Sequence, residues 1–185
     1  MTQSPRSSAT GFANSQMVED PRIFFDHPTA RLTDYPTTEL PNYNHPMTDY
    51  KFLHPTEVRY GDLDPQGHVN NAKYLTYFEQ ARIHHFIKMG LFSKDQSFME
   101  IGVIVADIHI KYRAPAHYGD NLITGAKISR IGNKSLIVTQ SVMDAATGKA
   151  MADGEVILVT FDYKSKKTIP VPEDWKRKIA EFEGI

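Results

Sequence analysis

Asp64 sits in an Asp-Pro-Gln-Gly turn (residues 64–67), four residues before His68 and seven before Asn71, where a long apolar-faced stretch begins. The spacing places a carboxylate beside the start of a predicted helix. The first turn of a helix has unpaired backbone N–H groups and a partial positive charge, and so favours an oxygen that is becoming an anion. A carboxylate next to such donors supplies a nucleophile or a general base. Each residue also has a plainer use. Asp64 can close its own turn, Asn70 and Asn71 can cap the helix, and His68 can bond to turn backbone. Glu79, eight residues after Asn71, is a second carboxylate, which could instead pair with Arg82 at i+3.

The run Gly61-Asp62-Leu63-Asp64-Pro65-Gln66-Gly67-His68-Val69-Asn70-Asn71, continuing through Tyr74, Tyr77 and Glu79 to Arg82, resembles the signature of hotdog-fold acyl thioesterases of the 4-hydroxybenzoyl-CoA thioesterase type. It is also similar to the Asp-Leu-Asp and His-Val-Asn-Asn stretch of plant acyl-carrier-protein thioesterases. A looser likeness covers about residues 51–165 and includes Tyr112-Arg113-Ala114-Pro115 and Gly119-Asp120. The resemblance implies that Asp64 is the catalytic carboxylate and that the Asn71 backbone N–H polarises the thioester carbonyl. Losing one such donor costs ~10²–10³ in rate. It also implies a catalytic or orienting histidine at His68, although the plant enzymes carry Asn where this chain has Gln66. In a second branch the catalytic carboxylate lies on the helix, at the position of Glu79.

These residues need a scaffold. A strand is expected over 52–60, then a helix over 71–89 stopped by Gly90. Strands follow over 104–113, where Ala106, Ile108, Ile110 and Tyr112 alternate onto one face, and over 122–131, 135–143 and 156–163, with a short helix over 175–182. One helix followed by consecutive antiparallel strands predicts an α+β domain, a curved sheet around a single helix, which is also the hotdog fold the resemblance implies. Sheet edges of such a domain call for a second subunit, so a homodimer or homotetramer with sites at its interface is expected. Tyr74 and Tyr77 are candidates for the acyl pocket; Lys111, Arg113, Arg130 and Lys134 are candidates for coenzyme A phosphates.

Composition narrows the remainder. A formal charge of −1 gives no general attraction to nucleic acid or anionic membrane. With no cysteine there is no disulfide, thiolate metal site or thiol nucleophile, and a cytoplasmic location is expected. No apolar run reaches the ~18 residues of a membrane span. The eight histidines show no metal-ligand spacing, and an activated thioester needs no metal or cofactor. Residues 1–50 hold six of the eleven prolines and no lysine. They read as an extended arm, either disordered or anchored on a partner by residues such as Phe12 and Tyr50, leaving 51–185 as the domain.

The expected activity is hydrolysis of an acyl-CoA to the free acid and coenzyme A. The alternatives are hydrolysis of acyl groups on an acyl carrier protein, or an acyl-CoA-binding module without catalysis. Hotdog enoyl hydratases are a poor fit, because their Asp and His lie five residues apart, whereas Asp62 and Asp64 precede His68 by six and four. A DNA-binding sensor is also a poor fit, since the first fifty residues carry no helix-turn-helix pattern.

Overall fold

A computed structural model describes residues 46–93 and 101–185. The elements run β1 (Phe52–Glu57), α1 (Lys73–Lys88), β2 (Ile101–Tyr112), β3 (Asn121–Ile131), β4 (Ser135–Asp144), β5 (Ala150–Asp162), β6 (Lys167–Thr168) and α2 (Glu173–Glu183), with 3-10 turns at Met47–Asp49 and Tyr60–Asp62. The sheet order is β1-β3-β4-β5-β2 with β6 added to β5, and every pairing is antiparallel. The long helix lies against β1, β3 and β4, as the α+β hotdog expectation requires. Its buried side presents Tyr74, Tyr77, Phe78, Ala81, Phe86 and Met89 to Leu122, Ile128, Leu136, Val138, Val156 and Leu158. Spacings of three and four residues put Tyr74, Tyr77, Phe78 and Ala81 on one stripe, which Phe86 and the capping Met89 continue.

Two close approaches set how tightly helix and sheet meet. Phe78 lies over Gly154 of β5, where an added Cβ would stand 2.7 Å from the ring and 2.6 Å from the His109 carbonyl oxygen. Gln140 of β4, fully buried, donates its amide to the Phe78 carbonyl at 2.7 Å and accepts from Arg82. At the other end of α1, the His85 Nε2 faces the Glu183 Oε1 of α2 at 3.1 Å, and the same oxygen accepts the Ile128 N–H at 2.8 Å, where the β3 ladder shifts register. Trp175 of α2 is 7% exposed and meets Phe92 edge-on at 5.7 Å.

Several expected boundaries move, each for a physical reason. The first strand ends at Glu57 rather than residue 60, because the chain turns into the 3-10 segment Tyr60–Asp62. The helix begins at Lys73 rather than Asn71, because Asn70 turns its side-chain oxygen onto the Ala72 N–H at 2.9 Å. A register shift between Val105 and Asp107 changes the phase of β2. Val103, Ile108 and Ile110 therefore pack on the core while Ala106 stays exposed. The last long strand begins at Ala150, six residues before the expected start, since pairing with β2 and β4 overrides a poor local signal in Ala-Met-Ala-Asp-Gly-Glu. Tyr50, expected in the arm, is 6% exposed and covers Gly125 of this chain's own β3. Other expectations for the arm concern residues 1–45, outside the described residues.

Candidate active site

Asp62 holds the loop that leads into α1. Its Oδ2 accepts the Arg59 N–H at 3.1 Å and the Tyr77 hydroxyl at 3.0 Å, and Lys73 Nζ stands 3.3 Å from Oδ1. Burial raises the Asp62 pKa, but these donors together hold it below the usual carboxylate range. Its backbone carbonyl accepts the Asn70 N–H. Tyr77 titrates well above an ordinary tyrosine, because it is buried and bonded to this anion. A carboxylate whose pKa falls on folding stabilises the fold above its unfolded pKa, and that contribution is lost as pH falls through the folded value. Tyr77→Phe should therefore lower stability at neutral pH by about 1–3 kcal/mol. In urea melts across pH, the gap from wild type should shrink as the medium is acidified towards pH 3; a constant gap would rule the bond out as its source.

Asp64 lies on the next turn. Its Oδ1 accepts the Gln66 N–H at 2.9 Å and the His68 N–H at 3.2 Å, while its own N–H donates to the His68 carbonyl at 2.8 Å. Gly67 closes the turn at φ 79°, in the left-handed region that favours glycine. The Gln66 side-chain amide lies against the same carboxylate, and with its nitrogen assigned to that side, the orientation that satisfies both groups, it donates to Oδ2 at 3.0 Å. Gln66 thus orients Asp64, a role its departure from the plant pattern did not suggest. His68 meets Asp64 through its backbone, and its ring packs edge-on against His117 at 5.0 Å. The two histidines form a β-bridge, which ties the Asp64 turn to the loop after β2.

Asn71 follows at the helix start. Among the described residues no acceptor takes its N–H, and its carbonyl accepts the Tyr112 hydroxyl at 3.0 Å. Tyr112, at the end of β2, therefore fixes the peptide that follows Asn71. The sequence presented it only as one residue on a strand face. Tyr74 is 3% exposed and lies edge-on to both Tyr77 and Tyr112. Tyr77 also lines a cleft with Pro55, Glu57, Arg59, Asp62, Thr76 and Gln80.

The other candidates lie elsewhere. Glu79 is exposed on α1, about 12 Å along the axis from Asn71. Arg82 is buried, donates to Gln140, and feels Glu79 only as a nearby charge. The Arg113 Nε is committed to Asp153, a fully buried carboxylate, at 2.7 Å. Lys134 bonds Thr168 at the β3–β4 hairpin. Asp64 is tied to the loop that enters β3, so the length of that strand, roughly 35 Å, separates the two within one chain. Among the described residues no three His, Asp or Glu side chains group as metal ligands.

The thioesterase-like superfamily model matches residues 58–179, the span from the Asp62 loop to α2. The chain belongs to this superfamily. It is 32% identical over 131 residues to the long-chain acyl-CoA thioesterase FadM of Escherichia coli K12, covering 68% of this chain and 95% of FadM. It is 30% identical over 142 residues to the acyl-CoA thioester hydrolase YbgC of Escherichia coli O6:H1, covering 74% and 99%. Among solved structures, a thioesterase from Thermus thermophilus complexed with coenzyme A and zinc superposes with a TM-score of 0.65 at 32% identity, over 75% of this chain and 98% of that one. As a member of the thioesterase-like superfamily, the chain carries the Asp64 turn just ahead of α1, with the Asn71 N–H, unclaimed among the described residues, two residues before the helix.

Proposed function

We propose that this protein is an acyl-CoA thioester hydrolase in which Asp64 is nucleophile or general base and the Asn71 N–H receives the thioester carbonyl oxygen. One observation supports the assignment: a carboxylate fixed by three donors stands in the turn that leads into α1, and the Asn71 N–H, two residues ahead of that helix, is unclaimed among the described residues. The relatives named above support the substrate class. In the overall reaction an oxygen from water bonds to the acyl carbon, the C–S bond breaks, and the thiolate leaves as coenzyme A with a proton. The N–H stabilises the oxyanion formed between these events. Free-thiol release from short, long and aromatic acyl-CoAs tests the proposal; turnover of at least one is the expected result, and none at all would overturn it.

The working unit is proposed to be a cytoplasmic homodimer built on β2. Among the described residues this twelve-residue strand pairs only with β5, leaving its outer edge open. Ile104 and Val105 on it are 41% and 42% exposed. A long apolar edge is an aggregation hazard unless paired, and pairing with a second copy about a two-fold axis closes it. Val105→Lys should therefore halve the mass measured by light scattering at micromolar concentration. A mass unchanged from wild type would place the interface elsewhere.

A further inference from the structure

The backbone around Asn71 is held by three local bonds and one distant bond. The Asn70 N–H donates to the Asp62 carbonyl at 2.8 Å, and the Lys73 N–H donates to the Asn70 carbonyl at 2.9 Å. The Ala72 N–H donates to the Asn70 side chain at 2.9 Å. The distant bond comes from the sheet: the Tyr112 hydroxyl, at the end of β2, donates to the Asn71 carbonyl at 3.0 Å.

That distant bond keeps Asn71 out of the helix. If α1 continued backwards, the Asn71 carbonyl would accept the Leu75 N–H, four residues on. The Leu75 N–H instead donates to the Ala72 carbonyl at 3.3 Å, and α1 starts at Lys73. Each peptide group is a rigid plane, so only the φ and ψ of Asn71 relate the plane before it to the plane after it. Lys73 fixes the first plane through the Asn70 carbonyl. Tyr112 fixes the second through the Asn71 carbonyl. In a trans peptide the C=O and N–H point opposite ways, so the Asn70 carbonyl turned onto Lys73 sends the Asn71 N–H away from it. There the N–H is unclaimed among the described residues.

Tyr112 is a firm post for this purpose. Its ring lies edge-on to the buried Tyr74 at 5.4 Å. The next residue clamps the strand end twice: the Arg113 N–H donates to the Met151 carbonyl at 2.8 Å, and its Nε donates to Asp153 at 2.7 Å. Asp153 is fully buried and also accepts the Ser141 hydroxyl at 2.7 Å. Burial raises the Tyr112 pKa, so the hydroxyl keeps the proton that it donates.

We infer that Tyr112 is a positioning residue for the hydrolysis: by holding the Asn71 carbonyl it keeps the Asn71 N–H aimed at the thioester carbonyl oxygen, and so sets kcat rather than substrate affinity. The inference rests on the acyl-CoA hydrolase reading. A donor to an oxyanion is worth ~10²–10³ in rate, and a donor left free to swing forfeits part of that.

Tyr112→Phe removes one oxygen and keeps the ring on Tyr74. With an acyl-CoA that the wild type turns over, kcat should fall about tenfold while KM stays within about twofold. Two analogues of acyl-CoA separate aim from general damage. A trifluoromethyl ketone adds water readily and becomes a tetrahedral mimic of the oxyanion. An S-alkyl thioether has no carbonyl at all. Calorimetry should show the variant binding the ketone about tenfold more weakly and the thioether as the wild type does. An unchanged kcat, or equal losses for both analogues, would overturn the inference. So would a tenfold rise in KM at unchanged kcat, which would put the hydroxyl on the substrate itself. Wild-type binding of neither analogue would also overturn it. Ketone binding that depends on Tyr112, without turnover of any acyl-CoA, would instead sink the hydrolase reading and leave the hold on Asn71 standing.

Discussion

Asp64→Asn should lower kcat for a reactive acyl-CoA by about 10³-fold or more, within the range for removing a general base and short of a full nucleophile knockout. The substitution is nearly isosteric, and the amide oxygen can still accept the Gln66 and His68 N–H groups that Oδ1 accepts now. The turn should survive, with a melting temperature within a few degrees of wild type. Stopped-flow thiol release and calorimetry on the same preparation separate the two effects. A large loss of rate in a folded protein assigns the chemistry to Asp64. Retained turnover would move it to Glu79, which would then have to act from about two helical turns away.

Phe78→Ala should have the largest effect on stability. Phe78 is 1% exposed, packs on Gly154, and offers the carbonyl that Gln140 holds. Truncating it leaves a cavity between α1 and β5, which costs about 3–5 kcal/mol. In a domain of this size that corresponds to a fall of roughly 10 °C in melting temperature. Gly154 cannot move in to fill the space, because the β2 and β4 ladders hold its backbone on both sides. A loss below 1 kcal/mol would mean that the helix is not seated by this contact.

The contrast between these residues and the Asp64 turn shows which features were legible in the chain. The turn is local: four residues, a proline and a glycine fix its shape, so its position before the helix could be read directly. The long helix declared itself by periodicity and by Gly90. Asp153 and Gly154 did neither. A carboxylate and a glycine side by side look like a break in a strand, and only the packed structure shows Asp153 serving Arg113 and Ser141 while Gly154 admits Phe78. The same holds for Tyr112 and Tyr77. Their hydroxyls reach partners 41 and 15 residues away, distances over which periodicity carries no information. Gln66 looked like a departure from a family pattern, and geometry gave it a use.

Arg113 and Lys134 illustrate a different gap. Both are cations at strand ends and looked equivalent in the sequence. The fold ties one to a buried carboxylate and carries the other to the far end of the sheet. In the proposed β2 dimer, which cations lie near the Asp64 turn depends on how the two copies pair, and no local motif records that.

The seat of Trp175 against Phe92 has a practical consequence. It is the sole indole in the chain, so its fluorescence comes from a single place, the docking of α2 beneath the end of α1. Emission should be blue-shifted while that helix is seated and should move to longer wavelength when it lifts. Far-ultraviolet dichroism follows the sheet and the long helix instead. Recording both signals along one denaturant titration would therefore show, without any added label, whether the small helix leaves before the domain comes apart.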